Sequence, residues 1–315
     1  MSSPLVSVII PAYNKAKTIA RTIRSVLSQT YKSIDVIVLD DKSADSTVDV
    51  CKEFLPHITL IENNVNIGLY QNRIKGVQAS KGEYIMFIDA DDWISKDAVE
   101  NCVNKSLATD ADIVQMKIYR RVTQWNIPCK TSCKYDSTQA LNACLYDDRL
   151  FPVSCCSKLY KRSLLTECSF LKFDQFWGED RIFNLPLLSR NPKIEMTDNA
   201  VYNYRWGGAS VNSFNTEALQ QYKNVYSVKL QWANSNSRSE AIPLMQNELI
   251  SLLNYHVRHL IDSKSYADSD AIEYLNKELR SDFWLGFNLD TPEDIYYRCK
   301  KSAARKIKRL LRGIM

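Results

Sequence analysis

The first 120 residues alternate between short apolar runs and segments in which apolar residues recur at helical spacing. The apolar runs are rich in valine, isoleucine and leucine and carry few polar residues, as strands buried between two layers of helices do. This alternation predicts an α/β fold, with a Rossmann-like, mostly parallel sheet flanked by helices. The predicted strands are residues 5–10, 34–40, 57–62, 83–89 and 111–119, and the predicted helices are residues 18–27, 46–54 and 69–79, with a fourth helix capped by Ser95.

The pattern changes twice further along the chain, which predicts three regions. Residues 1–120 form the first, and residues 121–212 mix polar segments, short helices and turns. From Thr216 onward most of the pattern is helical, so residues 213–315 are predicted to form a C-terminal helical region.

Charge and composition exclude several classes of protein. The net charge is +5, but eight basic and no acidic residues lie between Arg298 and Arg312, so the rest of the chain is mildly acidic. A nucleic-acid-binding body is therefore not expected. Nine scattered cysteines, an odd number, favour reduced thiols. The N-terminus lacks the basic segment of a signal peptide and no apolar run is long enough to span a membrane, so a cytoplasmic protein is expected.

Two predicted strands end in clusters of aspartate. Asp40 and Asp41 follow the second strand, and Asp89, Asp91 and Asp92 follow the fourth. Open parallel sheets bind ligands beyond the carboxyl ends of their strands. Like carboxylates held close together favour a cation, and Mg²⁺ or Mn²⁺ often binds through one or two carboxylates plus substrate phosphates. The alternative is a solvated turn with helix-capping aspartates.

Four segments, in order, resemble the donor domain of family 2 glycosyltransferases, which are inverting enzymes of the GT-A fold. They are "VSVIIPAYN" (6–14), "VLDDKSADST" (38–47), "NIGLYQNRIKGVQASKGEYIMFIDADD" (66–92) and "WGEDRIFN" (177–184). Each motif alone is weak, but four in the same order are specific. The resemblance covers about residues 5–212 and does not extend to the C-terminal hundred residues.

The resemblance implies a nucleotide-sugar donor, most often a UDP-sugar, and a divalent metal. Asp91 would ligate the metal, Asp89 would face both the metal and the ribose, and Asp92 would orient its neighbours or cap the next helix. Arg205, in the segment "YRWGGASVN" (204–212), would contact the diphosphate. The other residues assigned to the donor by this resemblance are Pro11, Ala12, Tyr13, Asp40, Asp41 and Arg73.

This sequence departs from the family pattern on the donor side. Lys42 replaces the glycine usual after the paired aspartates, and Asn72 and Ile74 flank Arg73 where the family usually has alanine and asparagine. The aspartates are intact, so the departures bear on which sugar is bound rather than on metal binding.

An inverting transfer also needs a base on the face opposite the leaving group. By resemblance Asp180 is that base, and Glu179 orients it or an acceptor hydroxyl. Gly178 permits a turn just before them. The alternative is an acidic first turn favoured by the helix dipole. Lys158, in a stretch that precedes this motif, is interpreted either as structural or as lining the acceptor cleft.

The last residues, 295–315, place apolar side chains on one face of a predicted helix and basic ones largely on the other. Such a helix suits an anionic membrane surface and a lipid-linked acceptor, so peripheral attachment to the inner face of the cell membrane is expected. A helix packed on the protein's own acidic surface, or an oligomer contact, is the alternative.

The predicted function is therefore an inverting, metal-dependent glycosyltransferase that forms a β-linkage to a glycan or lipid-linked acceptor in surface polysaccharide or lipo-oligosaccharide synthesis. One alternative is a nucleotidyltransferase, although "IIPAYNKAKT" lacks the glycine of the usual phosphate loop. The other is a non-catalytic glycan-binding relative, although both carboxylate sites are present.

Overall fold

The computed structural model describes residues 3–120, 125–126, 136–146, 153–174, 177–205, 216–262, 281–284 and 287, and the chain divides into two compact units, Met1–Gly208 and Ala209–Met315. The strands are Val6–Ala12 (β1), Ile34–Asp40 (β2), Thr59–Glu62 (β3), Tyr84–Phe87 (β4), Trp93–Ile94 (β5), Ile113–Arg120 (β6), Trp125–Asn126 (β7), Lys158–Lys161 (β8) and Ile194–Tyr204 (β9). The helices are Ile19–Leu27 (α1), Thr47–Lys52 (α2), Gly68–Ala79 (α3), Ala98–Thr109 (α4), Ser137–Leu145 (α5), Arg162–Thr166 (α6), Glu179–Leu188 (α7), Thr216–Ser235 (α8) and Ile242–Asp262 (α9).

The strands of the first unit form one sheet in the order β3-β2-β1-β4-β8-β6-β9-β5, with β7 paired to β6. β1, β2, β3 and β4 are parallel to their neighbours within this group, as the sequence predicts. β8 is antiparallel to both β4 and β6, and β5 is antiparallel to β9, so the second half of the sheet is mixed. The α/β fold with helices on the sheet and a C-terminal helical region is confirmed.

The core of the sheet lies where β1 and β4 pair. Every residue of β1 and β4 is buried, because helices cover the sheet. Helix α3 packs against β1 and β2, and Gly76 allows the close approach: a Cβ atom there would lie 2.5 Å from Cγ2 of Ile9. The register aligns Ala12 at the end of β1 with Asp40 at the end of β2. The carboxyl ends of these strands therefore meet at one edge.

Two helix starts differ from the sequence prediction. The sequence predicts that Ser95 caps the fourth helix, but α4 begins at Ala98, with Asp97 at its N-cap position. The helix predicted over residues 46–54 begins at Thr47, with Ser46 at its N-cap position; the Asp45 carboxylate accepts hydrogen bonds from Thr47 and from the amide of Ala16. Asp45 therefore links the α2 entry to the turn after β1.

The turn at Gly82 leaves no room for a side chain. A Cβ atom there would lie 2.5 Å from the backbone nitrogen of Ser7 and 2.7 Å from the carbonyl oxygen of Leu5. Because backbone atoms cannot move aside cheaply, Gly82→Ala is expected to lower the free energy of unfolding by about 3 kcal/mol in chemical denaturation. Lys81→Ala, at the exposed neighbouring position, is the control, with an expected change of less than about 0.5 kcal/mol. Equal stability of the two variants would contradict this account.

In the second unit, α8 and α9 pack against each other. Lys229 of α8 is 4% exposed and its ammonium lies 2.6 Å from Glu248 of α9. Met245 and Leu249 are buried on the same helix. Among the described helices, none combines the length and the apolar character that a membrane crossing requires. The predicted basic helix at 295–315 lies outside the described residues.

Candidate active site

The ends of β1 and β2 supply the residues that the sequence assigns to the nucleotide. Pro11 and Ala12 are buried in β1, whereas Tyr13, just beyond the strand, is 48% exposed. The structure thus presents an exposed aromatic ring next to a rigid, buried strand end. Contact of these three residues with a nucleotide stays a prediction.

The paired aspartates after β2 have different environments. Asp40 is buried; its Oδ2 accepts a hydrogen bond from the amide of Ser43, at 3.0 Å. Its Oδ1 is buried and has no hydrogen-bond partner among the described residues. An unsatisfied buried acceptor is costly, so Oδ1 is suited to receive a donor from a ligand.

Asp41, by contrast, is occupied by the protein. Its carboxylate accepts hydrogen bonds from the amides of Ile67 and Gly68, at 2.8 and 2.9 Å, and from the side chain of Asn63. These contacts hold the N-terminal end of α3, where unpaired amides favour negative charge. A direct contact between Asp41 and a nucleotide stays a prediction.

The three acids after β4 also separate into two kinds. Asp89 and Asp91 have side chains that are 29% and 21% exposed. Asp92 is fully buried and accepts hydrogen bonds from the hydroxyl of Tyr202, at 2.6 Å, and from the amide of Arg205, at 2.7 Å. Burial and the nearby Asp89 raise the pKa of Asp92 to about 8. Asp92 therefore anchors the end of β9 rather than facing a ligand.

Asp89 and Asp91 fit a divalent cation that is completed by a substrate. Within the described part of the chain, no group of three or more histidine, cysteine, aspartate or glutamate side chains could enclose a metal. Two partly exposed carboxylates are nevertheless the usual protein share of a Mg²⁺ site, whose other ligands are water and phosphate oxygens. The carboxylates of Asp89 and Asp91 thus suit Mg²⁺ or Mn²⁺ that is also bound by a diphosphate.

Arg73 joins the two carboxylate sites. Its side chain is 1% exposed, and its Nη1 lies 2.9 Å from Asp180 Oδ1 and 3.5 Å from Glu179. Its Nη2 lies 3.4 Å from Asp89 Oδ1. A planar guanidinium with several fixed donors can hold carboxylates on different sides at once. The sequence assigns Arg73 to the nucleotide sugar; the structure brings it against the carboxylates, and a direct donor contact stays a prediction.

The local backbone explains how Asp180 is presented. Gly178 has φ of 80°, a conformation that favours glycine, and α7 begins at Glu179. Asp180 Oδ1 accepts from the amide of Cys155, at 2.9 Å, as well as from Arg73. No donor contacts Oδ2 among the described residues, and the side chain is 27% exposed. Oδ2 is therefore the oxygen available to a proton.

Glu179 differs from Asp180 in its surroundings. Its side chain is only 12% exposed. Burial and the adjacent Asp180 raise the pKa of Glu179 to about 8, and Arg73 offsets only part of that rise. Near neutral pH Glu179 is thus held largely as an acid, which suits a hydrogen-bond donor better than a base.

Several residues around these acids were not identified from the sequence. The adjacent Cys155 and Cys156 are buried, the amide of Cys155 donates to Asp180, and burial raises the pKa of both thiols. Lys15 forms an ion pair with Asp91, at 2.5 Å. The sequence could have drawn attention to Lys15 only through its place in the turn that follows the first strand. Nothing in the sequence indicated that the cysteines lie against the acids.

Lys158 and Arg205 lie next to the site. Lys158 has 0% exposure and donates to the carbonyl of Ser154, which favours its structural role over a role in the acceptor cleft. Burial lowers its pKa to about 8. Arg205 has an exposed side chain, but residues 206–215, which include most of the predicted donor loop, lie outside the described residues.

Comparison with known families decides the class of this chain. The model of "Glycosyl transferase family 2" matches residues 7–168, just over half of the sequence. The chain belongs to glycosyltransferase family 2. The family 2 match runs from β1 to α6 and contains Arg73, Asp89 and Asp91; Asp180 lies beyond its end.

Individual relatives are similar over part of their length. This family 2 chain is 30% identical over 208 residues to the poly(ribitol-phosphate) beta-N-acetylglucosaminyltransferase TarP of Staphylococcus aureus, covering 62% of each protein. Across three other curated relatives that it matches, the chain spans between 32% and 61% of their length.

Solved structures share the fold of this family 2 chain. One is S. aureus TarS 1-349 in complex with UDP-GlcNAc, with a TM-score of 0.57, 16% identity, and coverage of 82% of this chain and 80% of that one. Another is the mannosyltransferase PcManGT from Pyrobaculum calidifontis in complex with GDP-Man and Mn²⁺, with a TM-score of 0.53, 16% identity, and coverage of 86% and 82%. At this identity the likeness shows the GT-A type of fold alone.

Proposed function

We propose that this protein is an inverting glycosyltransferase that moves a sugar from a nucleotide-sugar donor, a UDP-sugar, to a glycan or lipid-linked acceptor. The product carries a β-glycosidic bond and belongs to a surface polysaccharide or lipo-oligosaccharide. The observation that carries the proposal is the contact of one buried arginine, Arg73, with both Asp89 and Asp180. Because of it, a site for a leaving group and a site for a base form one cluster.

The proposed mechanism is a single displacement at the sugar carbon. Oδ2 of Asp180 takes the proton of the acceptor hydroxyl, while Arg73 and the Cys155 amide hold Oδ1 in place. Glu179, as an acid, donates a hydrogen bond to the acceptor or to the sugar. The acceptor oxygen bonds to the anomeric carbon from the face opposite the departing diphosphate.

On the donor side, Asp40 Oδ1 accepts a hydrogen bond from the base or ribose, and the ring of Tyr13 packs on the nucleotide. Pro11, Ala12 and Asp41 shape the pocket, and Arg205 contacts the diphosphate. Asp89 and Asp91 would hold Mn²⁺ or Mg²⁺, which when bound offsets negative charge on the departing diphosphate. TarS with UDP-GlcNAc and PcManGT with Mn²⁺ support a nucleotide-sugar donor and a metal.

Nucleotide binding tests the proposal directly. UDP at about 100 times its dissociation constant is expected to stabilise the protein by about 2.7 kcal/mol when Mn²⁺ is present, measured as a rise in unfolding temperature. EDTA should remove this rise, and so should Asp91→Asn. Asp97→Asn, the same change at an exposed position six residues on, should leave it intact.

Turnover separates the proposal from its alternatives. Release of UDP from a UDP-sugar with an acceptor supports glycosyl transfer. Release of pyrophosphate would indicate the nucleotidyltransferase, which the family match already disfavours. Binding of UDP without turnover of any UDP-sugar and acceptor pair would indicate the non-catalytic relative. A protein that is not stabilised by UDP with Mn²⁺ would contradict the donor assignment.

We also propose that residues 295–315 bring the protein to an anionic membrane on the cytoplasmic face, where lipid-linked acceptors are found. The support is the run of eight basic residues without an acidic one between Arg298 and Arg312. Each basic residue near such a surface contributes about 1 kcal/mol. A tail variant replaces five of them by glutamine: Arg298, Lys301, Arg305, Lys308 and Arg312. We expect this variant to lose sedimentation with phosphatidylserine vesicles.

The matched control for this membrane test replaces five exposed basic residues outside the tail by glutamine: Lys17, Arg24, Lys52, Lys81 and Lys96. It has the same net charge as the tail variant and should still sediment with the vesicles. Equal sedimentation of the tail variant and the wild type would contradict the role of the tail.

A further inference from the structure

Lys15 lies in the turn between β1 and α1, and its backbone is firmly held. Its amide donates to Thr47 Oγ1, at 2.7 Å, and its carbonyl accepts from the amides of Thr18 and Ile19, at 2.9 and 3.0 Å. The preceding Asn14 has φ of 53°, which sets the direction of the turn. The Cα atom of Lys15 is therefore fixed, while its side chain is 34% exposed.

The backbone near Asp91 is held by residues at the start of α1. The carbonyl of Asp91 accepts a hydrogen bond from Arg21, at 2.6 Å, and the carbonyl of Ala90 accepts one from Thr18, at 2.9 Å. Across this frame the Lys15 ammonium lies 2.5 Å from Asp91 Oδ2. The contact thus joins two fixed stretches of backbone through two partly exposed, charged side chains.

The two acids assigned to the metal are neutralised from different sides. Arg73 contacts Asp89 from the buried side and is almost fully enclosed. Lys15 contacts Asp91 with a side chain that reaches solvent. A lysine ammonium is a compact charge on a flexible stem, so it can leave a carboxylate and find another anion without a change of backbone.

We propose that Lys15 is a placeholder cation. In the protein without ligands, Lys15 neutralises Asp91. When a divalent cation binds Asp91, Lys15 leaves this carboxylate and binds a phosphate oxygen of the nucleotide. The proposal rests on the proposed function, since it assumes that Asp91 meets a metal and a nucleoside diphosphate. The proposal adds Lys15 to the residues that bind the nucleotide phosphates. It also makes Lys15 and the metal compete for Asp91.

Two opposite effects follow from removing the ammonium. Mn²⁺ alone should bind more tightly, because no cation competes for Asp91. UDP in the presence of saturating Mn²⁺ should bind more weakly, because a charged donor to the phosphates is lost. A purely structural role of Lys15 would not move the two affinities in opposite directions.

Isothermal titration of the full chain tests this, first with Mn²⁺ alone and then with UDP at saturating Mn²⁺. Lys15→Met keeps the apolar stem, and we expect it to bind Mn²⁺ about tenfold more tightly and UDP about tenfold more weakly than the wild type. Lys15→Arg keeps a cation and should bring both affinities back towards the wild type. Lys17→Met, the same change at an exposed lysine two residues on, should alter neither.

The other outcomes separate this proposal from the proposed function. If the wild type binds UDP with Mn²⁺ and Lys15→Met leaves either affinity unchanged, the role of Lys15 is overturned and the function stands. The same holds if Lys15→Arg behaves like Lys15→Met, since the effect would not come from charge. If the wild type binds Mn²⁺ but no UDP, the proposed function fails and the role of Lys15 fails with it.

Discussion

Asp180→Asn is expected to lower kcat for sugar transfer by about 10³-fold, the usual share of a well-placed general base. The asparagine has the same shape and keeps an oxygen to accept from Arg73 and from the amide of Cys155. It replaces Oδ2, the proposed proton acceptor, by an amide nitrogen that cannot accept a proton. The fold and the affinity for UDP with Mn²⁺ should be nearly unchanged, so the loss should appear in kcat.

Two controls define what the Asp180 result means. Asp174→Asn makes the same change at an exposed position six residues earlier and should retain full turnover. Glu179→Gln removes a group that burial holds largely as an acid near pH 7, so its loss in kcat should be at least tenfold smaller. If Glu179→Gln has the larger loss, the two acids have exchanged roles; if Asp180→Asn keeps most of its kcat, the mechanism is wrong.

Arg73→Met is expected to affect both stability and turnover. It leaves Asp89, Glu179 and Asp180 without the buried cation that faces all three. Removing one partner of a buried ion pair typically costs about 3 kcal/mol, so the free energy of unfolding should fall by about that amount at pH 7. Turnover should fall at least about 100-fold, because the base loses the donor that orients it.

The pH dependence of this variant gives a sharper test. Arg73 lowers the pKa of Glu179, which burial otherwise raises, so its removal raises that folded-state pKa further above about 8. A carboxyl with a raised folded-state pKa stabilises the protein while protonated, and that contribution is lost as pH rises. The difference in unfolding free energy between wild type and Arg73→Met should therefore be larger at pH 9 than at pH 7.

Arg73→Lys is the matched control for charge. It keeps a cation in the cluster, so stability and its pH dependence should stay closer to the wild type than those of Arg73→Met. A single ammonium cannot contact both sides as a planar guanidinium does, so kcat should still fall about tenfold. Wild-type stability and turnover in Arg73→Met would show that the contacts of Arg73 do not matter.

Local pattern was sufficient for most of the fold of the first 120 residues. Strands β1 and β2 are runs of apolar residues whose burial and pairing follow from composition, and the prediction for β2, residues 34–40, matches the structure at both ends. The antiparallel β8 and the pairing of β6 with β9 were not predicted, because they join segments far apart in sequence. Helix starts were also less accurate, because distant contacts engage the expected caps: the hydroxyl of Ser95 accepts from the amide of Val201 in β9.

The candidate site divides in the same way. Motif order alone selected Asp89, Asp91, Glu179 and Asp180. The position of the first two at the end of a predicted parallel strand predicts that they lie at a ligand-binding edge. The different environments of Asp40 and Asp41, adjacent and chemically identical, could not be read from the sequence. One has an unpaired buried oxygen and the other holds the start of α3, because only tertiary contacts decide which amides each one meets.

The sequence by itself determined the family and the positions of the apolar strands in the first half, because these depend on neighbouring residues. The roles of the acids stay predictions from motif order. Only the tertiary structure decided how the acids are neutralised. Arg73 lies 107 residues from Asp180, and Lys15 lies 76 residues from Asp91. Contacts over such separations depend on the packing of α1, α3 and α7 around the sheet edge. No local pattern encodes that packing, because the sequence does not show which basic residue on these elements will reach which carboxylate.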